Sequence, residues 1–132
     1  MSLRRRKEMF YDMFSYDIFS AWADSIFENP FPDNTIALNF NLFEESERDT
    51  YSVQIIGADK FDEEDWACYE TFSSGENLYF WDEEGGWEQA LTTAMENVEK
   101  YITESSFSET LRSYKGIGIG FVDGDIEIIY RK

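Results

Sequence analysis

The residue types able to do chemistry in this chain are carboxylates and aromatics, and they arrive together. Asp62-Glu63-Glu64-Asp65 runs directly into Trp66, with Tyr69 three residues on, and Trp81 runs into Asp82-Glu83-Glu84, with Trp87 just beyond. Carboxylates can work as general acid and base, as hard ligands for calcium, or as partners for lysine and arginine. The sequence contains no histidine. That removes the commonest general base, histidine-activated serine or cysteine nucleophiles, and most zinc sites. Two carboxylates can hydrolyse a glycosidic bond, but only at a separation that sequence does not define. With 28 acids in the chain, many pairs arise by chance, and the expectation is a protein without catalytic residues.

Two acidic stretches could hold a metal: Asp59-x-x-Asp62-Glu63-Glu64-Asp65 and Asp123-Gly124-Asp125-x-Glu127. Neither has the alternate ligands, central glycine and distant glutamate of a calcium loop. Gly116-Ile117-Gly118-Ile119-Gly120 lacks the lysine and the strand-to-helix context of a phosphate loop. No metal and no organic cofactor are expected.

Binding is the remaining chemistry, and charge decides its direction. The net charge is −17. Four of the 11 basic residues sit at positions 4–7, so residues 8–132 carry 28 acids against 7 bases, and residues 44–88 alone hold 15 against 2. Such a field repels nucleic acid and anionic membrane and speeds encounter with a cationic protein. The expected partner is a basic protein, bound by Asp62, Glu63, Glu64, Asp65, Asp82, Glu83 and Glu84, with whichever of Trp66, Tyr69, Trp81 and Trp87 are exposed as apolar anchors. The plainer alternative for each ring is that it belongs to the core, since alternate strand positions face inward. The chain itself is expected to be a monomer or weak dimer.

The elements that must carry these residues can be read from periodicity. Residues 8–28 have a helical stripe through Phe10, Met13, Phe14, Ile18, Ala21, Trp22 and Ile26, ended by Pro30. From Thr35 the period becomes two: Ile36, Leu38, Phe40 and Leu42 lead through an acidic loop to Tyr51, Val53 and Ile55, a hairpin. Trp66–Phe72 and Leu78–Trp81 read as a second paired couple. Trp87, Ala90, Leu91, Ala94, Met95, Val98, Tyr101 and Ile102 line one face of a long helix, with Glu96 and Lys100 as an exposed pair. Ser106 and Glu109 suggest a capping box for a short helix over Phe107, Leu111 and Tyr114, ended at Gly116. The tail is a hairpin turning at Asp123-Gly124. Leu91, Met95, Val98, Phe121 and Ile128 are expected to be buried. Gly116, Gly118 and Gly120 alternate along one strand face, which implies that a helix or another backbone packs closely there.

The order α-ββ-ββ-α-α-ββ predicts a single α+β domain over residues 1–132, with a mostly antiparallel sheet of five or six strands and helices on one face. Residues 1–8 read as a flexible basic segment. A single cysteine, Cys68, and the want of an apolar run after Arg4-Arg5-Arg6-Lys7 point to a cytoplasmic protein.

In size, acidity, lack of catalytic residues, and a Trp87-led helix followed by a Gly-Phe-Val-Asp-Gly-Asp hairpin, the chain resembles the immunity proteins of bacterial toxin systems. That resemblance implies an inhibitor that occludes a basic toxin, most simply a nuclease whose cationic cleft would otherwise hold phosphate. Other readings of the same acidity are a nucleic-acid mimic directed at a DNA-binding protein, a carboxylate-dependent enzyme, and a calcium-responsive module.

Overall fold

The computed structural model describes residues 11–62 and 64–132. The basic segment expected at residues 1–8, Phe10 of the predicted first helix, and Glu63 lie outside these described residues.

The apolar alternation after Thr35 produces β1 (Ala37–Glu44) and β2 (Thr50–Ala58), an antiparallel pair in the register Phe40 opposite Ile55. Leu38, Phe40 and Leu42 and, across from them, Tyr51, Val53 and Ile55 point to the same face and are buried. Further along come β3 (Glu70–Ser73), β4 (Tyr79–Asp82), β5 (Gly116–Phe121) and β6 (Glu127–Arg131). The sheet order is β3-β2-β1-β5-β6, with β4 also on β2. β1 and β5 run parallel, with Leu38, Phe40 and Leu42 beside Ile117, Ile119 and Phe121, while the other pairings are antiparallel. The fold is α+β with a mostly antiparallel, mixed sheet.

The expected pairing of the two middle segments is corrected. Trp66–Cys68 forms a 3-10 turn rather than strand, and β3 and β4 do not pair with each other. Both lie against β2 on one edge, β3 beside Ile56–Ala58 and β4 beside Thr50–Val53. A nine-residue strand is long enough to hold two four-residue partners end to end, and Gly75, at φ +64°, lets the chain turn between them.

Helices α1 (Tyr16–Phe27), α2 (Gly86–Glu104) and α3 (Ser108–Arg112) all contribute to the core on one side of the sheet. In α2 the predicted face is the buried one at Ala90, Ala94, Val98, Tyr101 and Ile102. Leu91 and Met95 are half-buried at its margin, and Lys100 sits over the Tyr16 ring at 4.3 Å instead of pairing with Glu96. Trp81, Tyr101, Phe19 and Phe40 are fully buried. Each large apolar side chain taken fully out of water contributes about 1.5–3 kcal/mol.

The first helix starts later and turns a different face inward than the periodicity predicts. Ser15 caps it, its Oγ accepting from the Ile18 amide at 3.3 Å, and the buried positions are Phe19, Ala23, Ile26 and Phe27. Met13 and Ile18 are exposed. Residues 11–15 run beside β4 instead: the Asp82 amide donates to the Asp12 carbonyl and the Ser15 amide to Tyr79 Oη. The Phe14 ring meets Tyr79 and Trp81 edge-on. Apolar residues that look helical in sequence are thus spent on an irregular segment ahead of the helix.

Smaller corrections follow. No capping box forms at Ser106, because the cap position is Phe107 and makes no side-chain bond. Gly116 opens β5 and does not cap α3. The last hairpin turns over Phe121–Gly124, the Gly124 amide donating to the Phe121 carbonyl, so Val122 and Asp123 occupy its centre. Ile128, expected to be buried, is exposed, since the register shift between Ile117 and Gly118 turns it outward; Phe121 is half-buried.

Candidate binding cleft

The face of the sheet away from the helices is polar along its centre. Asn39, Asn41 and Gln54 point outward from β1 and β2, alternating with the core residues on the other side. At one end this face is roofed by the β2–β3 connection, where Phe61 and Trp66 are buried against Ala37 and Ala58 with Ile126 alongside. The alternate glycines of β5 make room for this roof. A Cβ on Gly116 would overlap the Phe61 ring, one on Gly118 would lie 2.6 Å from Asn39 Oδ1 and 3.0 Å from Trp66, and one on Gly120 would overlap the Asp125 carbonyl. Close packing against this face is thus supplied by two rings and the returning backbone of the hairpin, with no helix involved.

Between the roof and the β5–β6 hairpin lies an open cleft of about 710 Å³. Asn39, Asn41 and Gly120 form its floor, Glu64, Asp65 and Trp66 one wall, and Asp125 and Ile126 the other, with Glu70 and Arg131 also lining it. Four carboxylates therefore face one guanidinium. That guanidinium is itself engaged, sitting over the Phe61 ring at 4.9 Å.

The predicted binding residues are dispersed among different environments. Asp62, Glu64, Asp65 and Tyr69 are exposed, Tyr69 with the Lys60 ammonium 5.6 Å from its ring centre. Trp66 is largely buried, acts as the pin that holds the acidic loop down, and shows only a small part of its surface, on the cleft side. Trp81 is fully buried, its ring against Phe14, Tyr51 and Tyr79 and its indole Nε1 donating to Glu83 Oε1 at 3.3 Å. Asp82 is buried as well: it accepts from the Thr50 hydroxyl at 2.7 Å and from the Tyr11 amide at 3.3 Å, tying the N-terminal segment to β4. Glu84 and Trp87 are exposed at the entry to α2, where Trp87 meets Phe121 edge-on.

The two acidic stretches expected to share one surface attach to opposite ends of β2, one following Ala58 and the other beside Thr50. At about 3.3 Å per residue these ends are roughly 26 Å apart. Sequence reasoning did not single out Asn39, Asn41 and Gln54, which form one hydrogen-bonded row at the cleft floor. Their signal was present as amides at alternate positions of β1 and a third amide in its partner strand.

Among the described residues no group of three or more cysteine or acidic side chains is arranged to hold a metal ion, and no helix is long and apolar enough to cross a membrane. Between described residues one ion pair forms, Arg48 to Asp49 at 3.8 Å, so most of the acidic side chains among the described residues are not ion-paired with basic side chains there. No protein-family model, curated protein or solved structure matches the chain.

Proposed function

We propose that this chain is an acidic binding protein that occludes a basic protein partner, in the manner of an immunity protein held against a nuclease toxin. The observation that carries the reading is the cleft on the open face of the sheet, walled by Glu64, Asp65, Glu70 and Asp125, with Arg131, the one cation among its described residues, turned onto a ring. A partner whose own cleft is built to hold phosphate presents lysine and arginine, and carboxylates on the two connections that flank the sheet face compete for the same groups. Exposed Tyr69 beside this cleft supplies an apolar contact of the type that anchors interfaces. Catalysis has no part in this reading, and neither does a cofactor.

The test is capture of partners from the native host, followed by association kinetics against each purified candidate. Association with the true partner slows steeply with salt, because the Debye length falls from about 10 Å at 0.1 M to about 3 Å at 1 M. Asp62→Asn, Glu64→Gln and Asp65→Asn together lower the on-rate and leave the unfolding transition in place, since solvated surface charges contribute little to stability. A partner that is acidic or a nucleic acid, or an on-rate indifferent to both salt and these amides, overturns the reading.

A further inference from the structure

The floor of the cleft carries a chain of side-chain amides whose direction is imposed from one end. The Gly75 carbonyl can only accept, and Gln54 Nε2 donates to it at 3.0 Å. Gln54 Oε1 is thereby turned to Asn41 and accepts from its Nδ2 at 3.0 Å, and Asn41 Oδ1 accepts from Asn39 Nδ2 at 2.6 Å. Reversing any one amide would set oxygen against oxygen or nitrogen against nitrogen. The chain therefore ends on Asn39 Oδ1, an acceptor with no hydrogen-bond partner among the described residues, on a side chain that is only 1% exposed. Native folds rarely leave such an atom unmet.

This oxygen lies over Gly118, a spot that Trp66 and Ile126 also approach, and four residues that line the same cleft as Asn39 bear carboxylates: Glu64, Asp65, Glu70 and Asp125. A lone carbonyl, an indole and acidic walls ask for one kind of occupant. It must donate several hydrogen bonds, carry positive charge and present a flat face, which is the description of a guanidinium. Its entry requires Ile126 to swing aside, and Ile126 sits outside β6, between the turn and the strand.

We propose that the cleft is a receptor for a single arginine side chain of the basic partner, whose guanidinium donates to Asn39 Oδ1 at the floor, pairs with Asp65 and Asp125 at the rim and lies along Trp66. The proposal rests on the binding function above and gives it a point of attachment. Gln54, Asn41 and Gly75 act as positioning groups: they hold Asn39 so that it offers oxygen and not nitrogen.

The experiment is an NMR titration of the free protein with Nα-acetyl-arginine methylamide, run in parallel with the neutral isostere Nα-acetyl-citrulline methylamide. The arginine probe should shift the side-chain amide signals of Asn39, Asn41 and Gln54 and the Trp66 indole along one saturable curve, with the citrulline probe far weaker. Asn39→Leu should weaken the arginine probe about tenfold, the worth of one hydrogen bond to a charged group. Because that variant also removes the buried donor to Asn41 Oδ1, Asp65→Asn with Asp125→Asn serves beside it as a variant that keeps the fold; both residues are exposed, and the pair should weaken binding several-fold with the unfolding midpoint unmoved. Equal response to the two probes, or shifts confined to surface carboxylates while the Asn39 amide stays still, overturns the proposal. If the probe fails but a basic protein still binds with steep salt dependence, the receptor is wrong and the binding function stands. If the probe binds in the cleft but no basic protein does, the receptor stands and the function falls.

Discussion

The phenol of Tyr101, in the last turn of α2, donates to Asp24 Oδ1 of α1 at 2.7 Å and joins the two helices. Tyr101 is fully buried, and its ring lies edge-on to Phe19 and near-parallel to Phe27. Tyr101→Phe keeps the ring packing and removes the donor, leaving a half-buried carboxylate oxygen without it. The variant should unfold at lower urea with a loss of about 1.5–3 kcal/mol, the range for a hydrogen bond to a charged group. A midpoint equal to that of the wild type would show that water replaces the phenol at no cost.

Stability should fall in alkali. Burial, and secondarily the Asp24 carboxylate, push the Tyr101 phenol well above its ordinary value of 10.0, and burial raises Tyr16, Tyr51, Tyr79 and Tyr114 in the same direction. A raised folded value means that the protonated form is favoured by folding. The stabilisation is complete below the unfolded value and is lost as pH climbs past about 10 toward the folded values. Thermal melts followed from neutral pH upward should show a steepening loss above that point, with tyrosinate absorbance appearing together with unfolding. Tyr101→Phe should flatten the alkaline limb; an unchanged limb would assign it to other groups.

Gly116 and Phe61 should be energetically coupled. A Cβ at Gly116 overlaps the Phe61 ring, so Gly116→Ala should cost about 1–3 kcal/mol by overpacking. In a Phe61→Leu background that penalty should shrink by more than half, as measured by a double-mutant cycle in urea. Additive costs would mean that the strand, and not the ring, resists the methyl group.

Asp82 should matter for folding and not for binding. Asp82→Ala removes the acceptor of the buried Thr50 hydroxyl and of the Tyr11 amide. A loss of about 1–3 kcal/mol is expected, with the on-rate for the basic partner unchanged once the variant is folded. A slower on-rate at equal fold would restore Asp82 to the interface.

Local pattern was enough for some of this protein and silent on the rest. The alternation of Leu38, Phe40 and Leu42 against Val53 and Ile55, and the stripe from Ala90 to Ile102, name their own buried faces, because a strand or helix of that length has a fixed period and one apolar side. Net charge and the missing histidine likewise follow from composition alone. Tertiary structure decided the choices between equivalents. Met13 and Phe14 fit a helical stripe, but the edge of β4 needed a companion, and the chain from Tyr11 to Ser15 runs beside it outside the helix. Residues 70–73 and 79–82 could have paired with each other, yet each found the long edge of β2. Trp66, Trp81, Tyr69 and Trp87 are alike as letters beside acidic runs; only packing put the first two inside and left the last two out. The parallel pairing of β1 with β5 brought Asn39 beside Gly118, 79 positions away in the chain, and Gly75 gave the amide row its direction. Contacts of that separation depend on which surfaces meet, and a one-dimensional period carries no information about that.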